Sequence, residues 1–192
     1  MLIGLDEAGM GTLAGPMTAA VVILANDTKI KGVRDSKKMT SEQREEVAAR
    51  IMEVADFYKV GTRDAETIDK IGLSAAWYGL MRELAIAAHI MHSQEMVLDG
   101  NRLIGLPYVT PVVKADATHL AVSAASILAK YTQVCAMEDL HRLYPKYGFI
   151  LHHGYGTVEH KNALKEYGPC PAHRKSYRPV KRLLSPSGPA PT

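Results

Sequence analysis

Apolar residues run along this chain in two rhythms, short continuous blocks near the N-terminus and longer stretches with helical spacing further on. Met1 to Leu5 reads as a buried strand, and Met17 to Ala25, rich in Val and Ile, as a second. The glycine-rich stretch between them predicts a hairpin. Thr40 with Gln43 fits a capping box, and the helix beyond carries Val47, Ile51 and Val54 on one face. Ala55 to Gly61 reads as a third strand. Ile68 to Met91 gives the clearest helical pattern, with Leu73, Trp77, Leu80, Leu84, Ala88 and Met91 spaced by three or four. Two more apolar segments stop at Asp99 and at Asp116, with turn signals at Gly100-Asn101-Arg102 and Gly105-Leu106-Pro107 between them. Leu120 to Leu143 is helical until Pro145 stops it, and its first half is built from small residues that suit close packing on a sheet. A short helix is expected over Val158 to Glu166, and a disordered tail from Ser185. Strands followed by alternating helices and strands indicate an α/β fold with a mixed sheet flanked by helices.

Composition changes this picture little. The chain has 192 residues, 47% hydrophobic and 22% charged, as expected of a globular protein with one core or two small ones. A net charge of +3 is compatible with a polyanionic partner without indicating one. Two cysteines, Cys135 and Cys170, form neither a disulfide framework nor a zinc ligand set, so a reducing cytoplasm is the expected location. Acids arrive at position 6, against a signal peptide, and the longest apolar run, around Ala19 to Ala25, falls far short of the roughly 20 residues a spanning helix needs.

The acids carry the chemistry. Most of the 20 acidic residues belong to solvated helix faces, and a single acid at a strand end is usually a turn or cap residue. Asp6, Glu7, Asp99 and Asp116 differ as a group, because each follows an apolar segment that must be buried. Buried carboxylates without a counter-charge are expensive, and Lys114, the nearest basic residue in sequence, cannot neutralise four. A pair of hard divalent cations can. Adjacent strand residues point to opposite faces, so Asp6 and Glu7 are expected at a strand end or a local irregularity. Two ions sharing carboxylates suit hydrolysis of a phosphodiester.

The loop Gly9-Met10-Gly11-Thr12 is either a cradle of backbone N–H groups for phosphate or a simple hairpin turn. Without a Gly-Lys-Ser/Thr ending it is not a P-loop. The whole segment Gly4-Leu5-Asp6-Glu7-Ala8-Gly9-Met10-Gly11-Thr12-Leu13-Ala14-Gly15-Pro16 closely resembles the N-terminal motif of the ribonuclease HII family. So do Asp35-Ser36-Lys37-Lys38, Val97-Leu98-Asp99-Gly100-Asn101, Lys114-Ala115-Asp116, and Ser123-Ala124-Ala125-Ser126-Ile127-Leu128-Ala129-Lys130. His153-Gly154-Tyr155-Gly156-Thr157 and His173-Arg174-Lys175-Ser176-Tyr177 match as well, and all seven segments stand in the family's order across about residues 1 to 181.

The resemblance implies a ribonuclease H-like fold with a small C-terminal helical extension. The expected division is a catalytic core over 1–144, a substrate-binding extension over 145–184 and a tail over 185–192. It implies an endoribonuclease acting on RNA–DNA hybrids and on ribonucleotides embedded in duplex DNA, dependent on two Mg²⁺ or Mn²⁺ ions, and working as a monomer. Asp6, Glu7, Asp99 and Asp116 fall on the family's metal-binding acids. Gly9, Met10 and Gly11 fall on the loop that senses the 2′-OH, and Tyr155 on the tyrosine that packs against the sugar. Ser36 and Lys37 are expected to bind substrate, with Lys37 and Lys38 either holding phosphates, as the resemblance supports, or lying in a solvated loop. Three places depart from the family pattern: Met10 replaces a basic residue, commonly Arg; His153 replaces a common Lys; and Gln133-Val134 stand where an Arg-Asp pair is frequent. His173 and Arg174 are open between a structural and a DNA-contacting role. The competing functions are a non-catalytic hybrid-binding protein, which four retained acids disfavour, and another ribonuclease H-fold nuclease such as a junction resolvase.

Overall fold

The structure is a computed structural model that describes residues 1–33 and 39–185. Ser36, Lys37, Lys38 and the tail after Ser185 lie outside the described residues.

The first two strands form the expected hairpin. β1 (Leu2–Ala8) pairs antiparallel with β2 (Met17–Leu24), in register from Leu2 opposite Leu24 to Ala8 opposite Thr18. Every residue of β2 is buried, so its continuous Val/Ile run reflects a strand covered on both faces. With β3 (Phe57–Arg63), β4 (Met96–Asp99) and β5 (Val109–Val112), the sheet has the order β3-β2-β1-β4-β5. β4 runs parallel to both β1 and β5, which makes the sheet mixed, as the pattern of elements predicts.

Helix α1 (Ser41–Val54) starts at the predicted capping box, with Gln43 N–H donating to Thr40 Oγ1 at 3.2 Å and Thr40 N–H to Gln43 Oε1 at 3.2 Å. Val47 and Ile51 enter the core, but Val54, expected on the same face, is 43% exposed at the helix end. The predicted helix from Ile68 to Met91 is two helices, α2 (Ala65–Ile71) and α3 (Leu73–Met91). Gly72, at φ 83°, caps α2 in a conformation other residues rarely adopt, and this divides a continuous apolar pattern. Asp64 caps the start of α2 by accepting from Thr67 N–H at 2.8 Å.

Helix α4 (Leu120–Leu143) shows why small residues fill its first half. A Cβ placed on Gly4 of β1 would lie 2.2 Å from the backbone nitrogen of Val122. No side chain fits there, so strand and helix backbones meet directly. Thr18 Oγ1 donates to Ala129 C=O at 2.8 Å, tying β2 to the same helix. Ala121, Ala124, Ala125 and Leu128 share a core cluster with Val22, Leu24, Ala48 and Ile51. Contrary to the expectation that nothing here is long and apolar enough, α4 meets that test by length and composition, with 61% of its apolar window buried inside the protein. Such burial is what a core helix shows.

The chain forms two compact units. The first comprises Met1–Ala8, Thr18–Thr62 and Trp77–Thr132. The second comprises Gly9–Met17, Arg63–Ala76 and the chain from Gln133 onward. It contains α5 (Phe149–His152), α6 (Val158–Tyr167, one residue longer than predicted) and α7 (Arg178–Leu184), around Leu13, Met137, Tyr147, Phe149, Leu164 and Val180.

Candidate active site

The first unit gathers the acids. Asp6 and Glu7 both lie inside β1, because its pairing with β2 continues to Ala8; they do not mark a strand end. Asp6 is buried and Glu7 half-buried. The Glu7 N–H donates to Asp6 Oδ1 at 2.7 Å. The parallel register of β1 and β4 matches Gly4 with Val97 and Leu5 with Leu98, so one further step sets Asp6 beside Asp99. Asp116 is not at the end of β5. It sits in a short 3₁₀ turn, Ala115–Ala117, that Lys114 enters in the left-handed region at φ 59°. Asp99 holds that turn, its Oδ1 accepting from Ala115 N–H at 2.8 Å. Ser123 Oγ on α4 donates to the Asp116 carbonyl from the other side. Strand pairing thus leads from β1 to β4, and the Asp99 carboxylate leads from β4 to the turn; each step brings another acid.

This arrangement is costly for negative charge. Burial, and next the charge of Glu7, push the Asp6 carboxyl up to about 8; Asp99 adds to the rise, while hydrogen bonds from Ser126 and the Glu7 N–H oppose it. A hard divalent cation stabilises the ionised form of such a group, and carboxylate oxygens are the donors Mg²⁺ and Mn²⁺ take. In donor chemistry the residues fit such ions. Among the described residues no three acidic, His or Cys side chains yet stand at metal-holding distances, so the backbone collects the acids without presetting a finished ligand set.

The second unit holds Gly9, Met10, Gly11 and Tyr155. Gly9 to Gly15 wrap around the side chain of Arg174, which is completely buried. Its guanidinium donates to the carbonyls of Gly9 at 2.7 Å, Met10 at 2.9 Å and Gly15 at 3.0 and 3.1 Å. It also donates to Tyr177 Oη at 2.9 Å, and that hydroxyl donates to the Met10 carbonyl at 2.7 Å. Arg174 is thus a structural staple; its burial excludes the DNA-contacting alternative. In a trans peptide the N–H opposes the C=O, so the N–H groups of Met10 and Gly11 point away from the guanidinium. Tyr155, 43% exposed, lies in the turn before α6, and its backbone N–H donates to His152 C=O at 2.9 Å.

Sequence reading missed the contribution of Ser126 beside Asp6, the staple from Arg174 and Tyr177, and a cluster of buried histidines, His152, His160 and His173. The motifs that hold Ser126 and His173 to Tyr177 gave a signal, but neither revealed what the side chains touch.

A mixed five-strand sheet flanked by helices, with acids on its central strand and on that strand's parallel neighbour, places the chain among proteins of the ribonuclease H-like fold. Comparison with known proteins narrows the class. The sequence profile described as Ribonuclease HII matches residues 3–180. A ribonuclease HII of Halorhodospira halophila is 45% identical over 186 residues, covering 95% of this chain and 94% of its own. Among solved structures, the ribonuclease H2 of Pyrococcus horikoshii OT3 superposes with a TM-score of 0.73 at 27% identity, covering 95% of this chain and 96% of that one. Bst-RNase HIII, solved in complex with Mn²⁺, shares the fold with a TM-score of 0.78 at 21% identity, over 95% of this chain and 68% of its own. The chain belongs to the ribonuclease HII family. It is a hydrolase, an endoribonuclease of the ribonuclease H kind.

Proposed function

We propose that this enzyme cleaves the RNA strand of RNA–DNA hybrids and the phosphodiester 5′ to a ribonucleotide embedded in duplex DNA, leaving 3′-hydroxyl and 5′-phosphate ends. The observation that carries the metal-dependent part is Asp6, a buried carboxyl pushed up to about 8 by burial and by the acids beside it. Asp6, Glu7, Asp99 and Asp116 would hold two Mg²⁺ or Mn²⁺ ions. Bound there, the ions supply an activated water and stabilise charge on the leaving oxygen.

The chain's own residues select the bond. The N–H groups of Met10 and Gly11, turned away from Arg174, are donors for a 2′-oxygen, the atom that separates RNA from DNA at a given nucleotide. The exposed ring of Tyr155 offers a stacking face for the sugar at the junction. Ser36 and Lys37, outside the described residues, are assigned phosphate contacts from the resemblance alone. Met10 brings no side-chain donor for phosphate, so affinity here rests on other cations. Both cysteines are free, in keeping with a cytoplasmic location.

The test is a duplex carrying one ribonucleotide, incubated with Mg²⁺, with Mn²⁺ and with chelator. Cleavage 5′ to the ribonucleotide with either metal and none with chelator is expected. Undiminished cleavage in chelator would overturn the metal assignment, and cleavage of an all-DNA junction in its place would favour the resolvase reading. Tyr155→Ala is expected to lower kcat/KM on this duplex by about 10- to 100-fold, the worth of one stacking contact. Its melting temperature should stay close to the wild type, because the exposed ring contributes little to the core. A stability loss with unchanged cleavage would make Tyr155 a loop anchor only.

A further inference from the structure

Three buried histidines lie under the Tyr155 turn, and the proposed chemistry uses none of them. Their hydrogen bonds admit one protonation scheme. Cys170 N–H donates to His173 Nδ1 at 3.0 Å, and Cys170 Sγ lies 3.2 Å from the same nitrogen. His173 Nδ1 is therefore an acceptor, which leaves its proton on Nε2. That Nε2 stands 3.1 Å from His160 Nε2, so His160 accepts there and carries its own proton on Nδ1. His160 Nδ1 then donates to the Tyr155 carbonyl at 2.9 Å. The direction runs without a break from Cys170 N–H through both rings to the backbone of Tyr155.

His152 completes the support. Its ring stacks on that of His160, with centroids 4.3 Å apart and planes 13° apart. Gly154 N–H donates to His152 Nδ1 at 3.3 Å, and His152 Nε2 donates to the Tyr147 carbonyl at 2.9 Å. The Gly154 carbonyl accepts from Leu13 N–H at 2.8 Å, which joins this turn to the glycine loop. Next to His173, Arg174 holds that loop through the carbonyls of Gly9, Met10 and Gly15. Two consecutive residues thus serve the two segments assigned to the ribonucleotide.

We propose that His160 and His173 are positioning residues, a neutral, directionally hydrogen-bonded pair that sets the backbone of Tyr155 and so aims its ring at the substrate. The proposal rests on the reading of Tyr155 as a substrate contact. A proton added to His173 Nδ1 would face the Cys170 N–H, and one added to His160 Nε2 would face the His173 Nε2–H; either addition breaks the chain. Burial holds both rings neutral, lowering each to about 4. The groups facing them are His152, the rings of Tyr147 and Phe149, and Cys170, with Glu159 within electrostatic reach of His152.

Two measurements test this. Long-range ¹H–¹⁵N spectra of the histidine side chains at about pH 5.5, a unit below the usual imidazole pKa, should show His160 as the neutral Nδ1–H form and His173 as the neutral Nε2–H form. A charged ring or a reversed tautomer at either position overturns the proposal. The second measurement is kinetic, on the single-ribonucleotide duplex with Mg²⁺. His160→Asn keeps a donor near Nδ1, whereas His160→Gln keeps a polar group only near Nε2; His173→Asn keeps the acceptor for Cys170 but loses the donor to His160. Expected losses in kcat/KM are about tenfold or more for His160→Gln and His173→Asn, and less than about threefold for His160→Asn. In a Tyr155→Ala background the same changes should add less than about twofold, because residues acting through one contact are not additive. Full additivity overturns the positioning role while leaving Tyr155 in place. Wild-type kinetics for Tyr155→Ala alone overturns the substrate reading itself, and the proposal with it.

Discussion

Asp6→Asn is expected to reduce turnover by at least about a hundredfold in saturating Mg²⁺ while leaving the chain folded. An amide keeps the shape and the acceptor oxygen for the Glu7 N–H, but it loses the charge that dications require. Stability should move the other way. A carboxyl raised from 3.8 to about 8 binds its proton more tightly in the folded chain than in the unfolded one. Its contribution is fully present below pH 3.8 and is lost as the pH rises through about 8. In chelator, wild-type stability should therefore fall across that window by an amount on the order of a few kcal/mol, and Asp6→Asn should escape the loss. Divalent ions should restore the wild type and leave the variant's melting temperature almost unchanged. Retention of more than about a tenth of the wild-type rate would remove Asp6 from the metal site, since the charge of a direct ligand cannot be dispensed with. Equal stability of the two chains at pH 8 in chelator would show that the carboxyl is not strained by its surroundings.

Arg174→Lys should be the most damaging conservative change in the second unit. The guanidinium makes four hydrogen bonds to three carbonyls and a fifth to Tyr177, all from one planar group with no exposed surface. An ammonium has three donors and a single nitrogen position, so at least one of the four acceptors is stranded and the charge is less well compensated. Breaking a buried charged network of this kind costs about 3–5 kcal/mol, which urea unfolding would read as a lower midpoint. Because Gly9 and Met10 lose their fixed carbonyls, the opposed N–H groups lose direction as well. The surviving folded fraction should therefore cleave the single-ribonucleotide duplex at least about tenfold more slowly, the worth of a misplaced donor. An unchanged unfolding midpoint would show that the loop holds itself.

Local signals were read correctly where the cause is local. The Thr40–Gln43 box, the β1–β2 hairpin and the small-residue half of α4 each follow from neighbours in sequence. The four acids stand out in the sequence because each ends or follows an apolar run, and β1 and β4 set Asp6 and Asp99 side by side. Their exact placement was less legible. Asp6 and Glu7 lie within the strand because β2 extends the pairing to Ala8, and Asp116 lies on a turn that the Asp99 carboxylate fixes, a contact made across 16 residues. Gly72 splits a helical pattern whose hydrophobic spacing continues straight through it. The partners of Arg174 and of the histidine pair are illegible for a different reason. The motif leaves Arg174 open between a structural and a DNA-contacting role, and three of its four acceptors are carbonyls, which every residue carries and no sequence pattern displays.

The staple also has a consequence for how the chain comes into being. Arg174 meets Gly15 across 159 positions and Gly9 across 165, so the loop is made long before the residue that closes it. At about 5–20 residues per second of synthesis, that loop waits roughly 8–30 s for its partner on the ribosome. Through that interval a nascent chain holds the acids of its first strand without the guanidinium that shapes the segment following them. The arrival of residue 174 acts as a timer, and a polypeptide truncated before it would carry the carboxylates but not the staple that holds the loop after them.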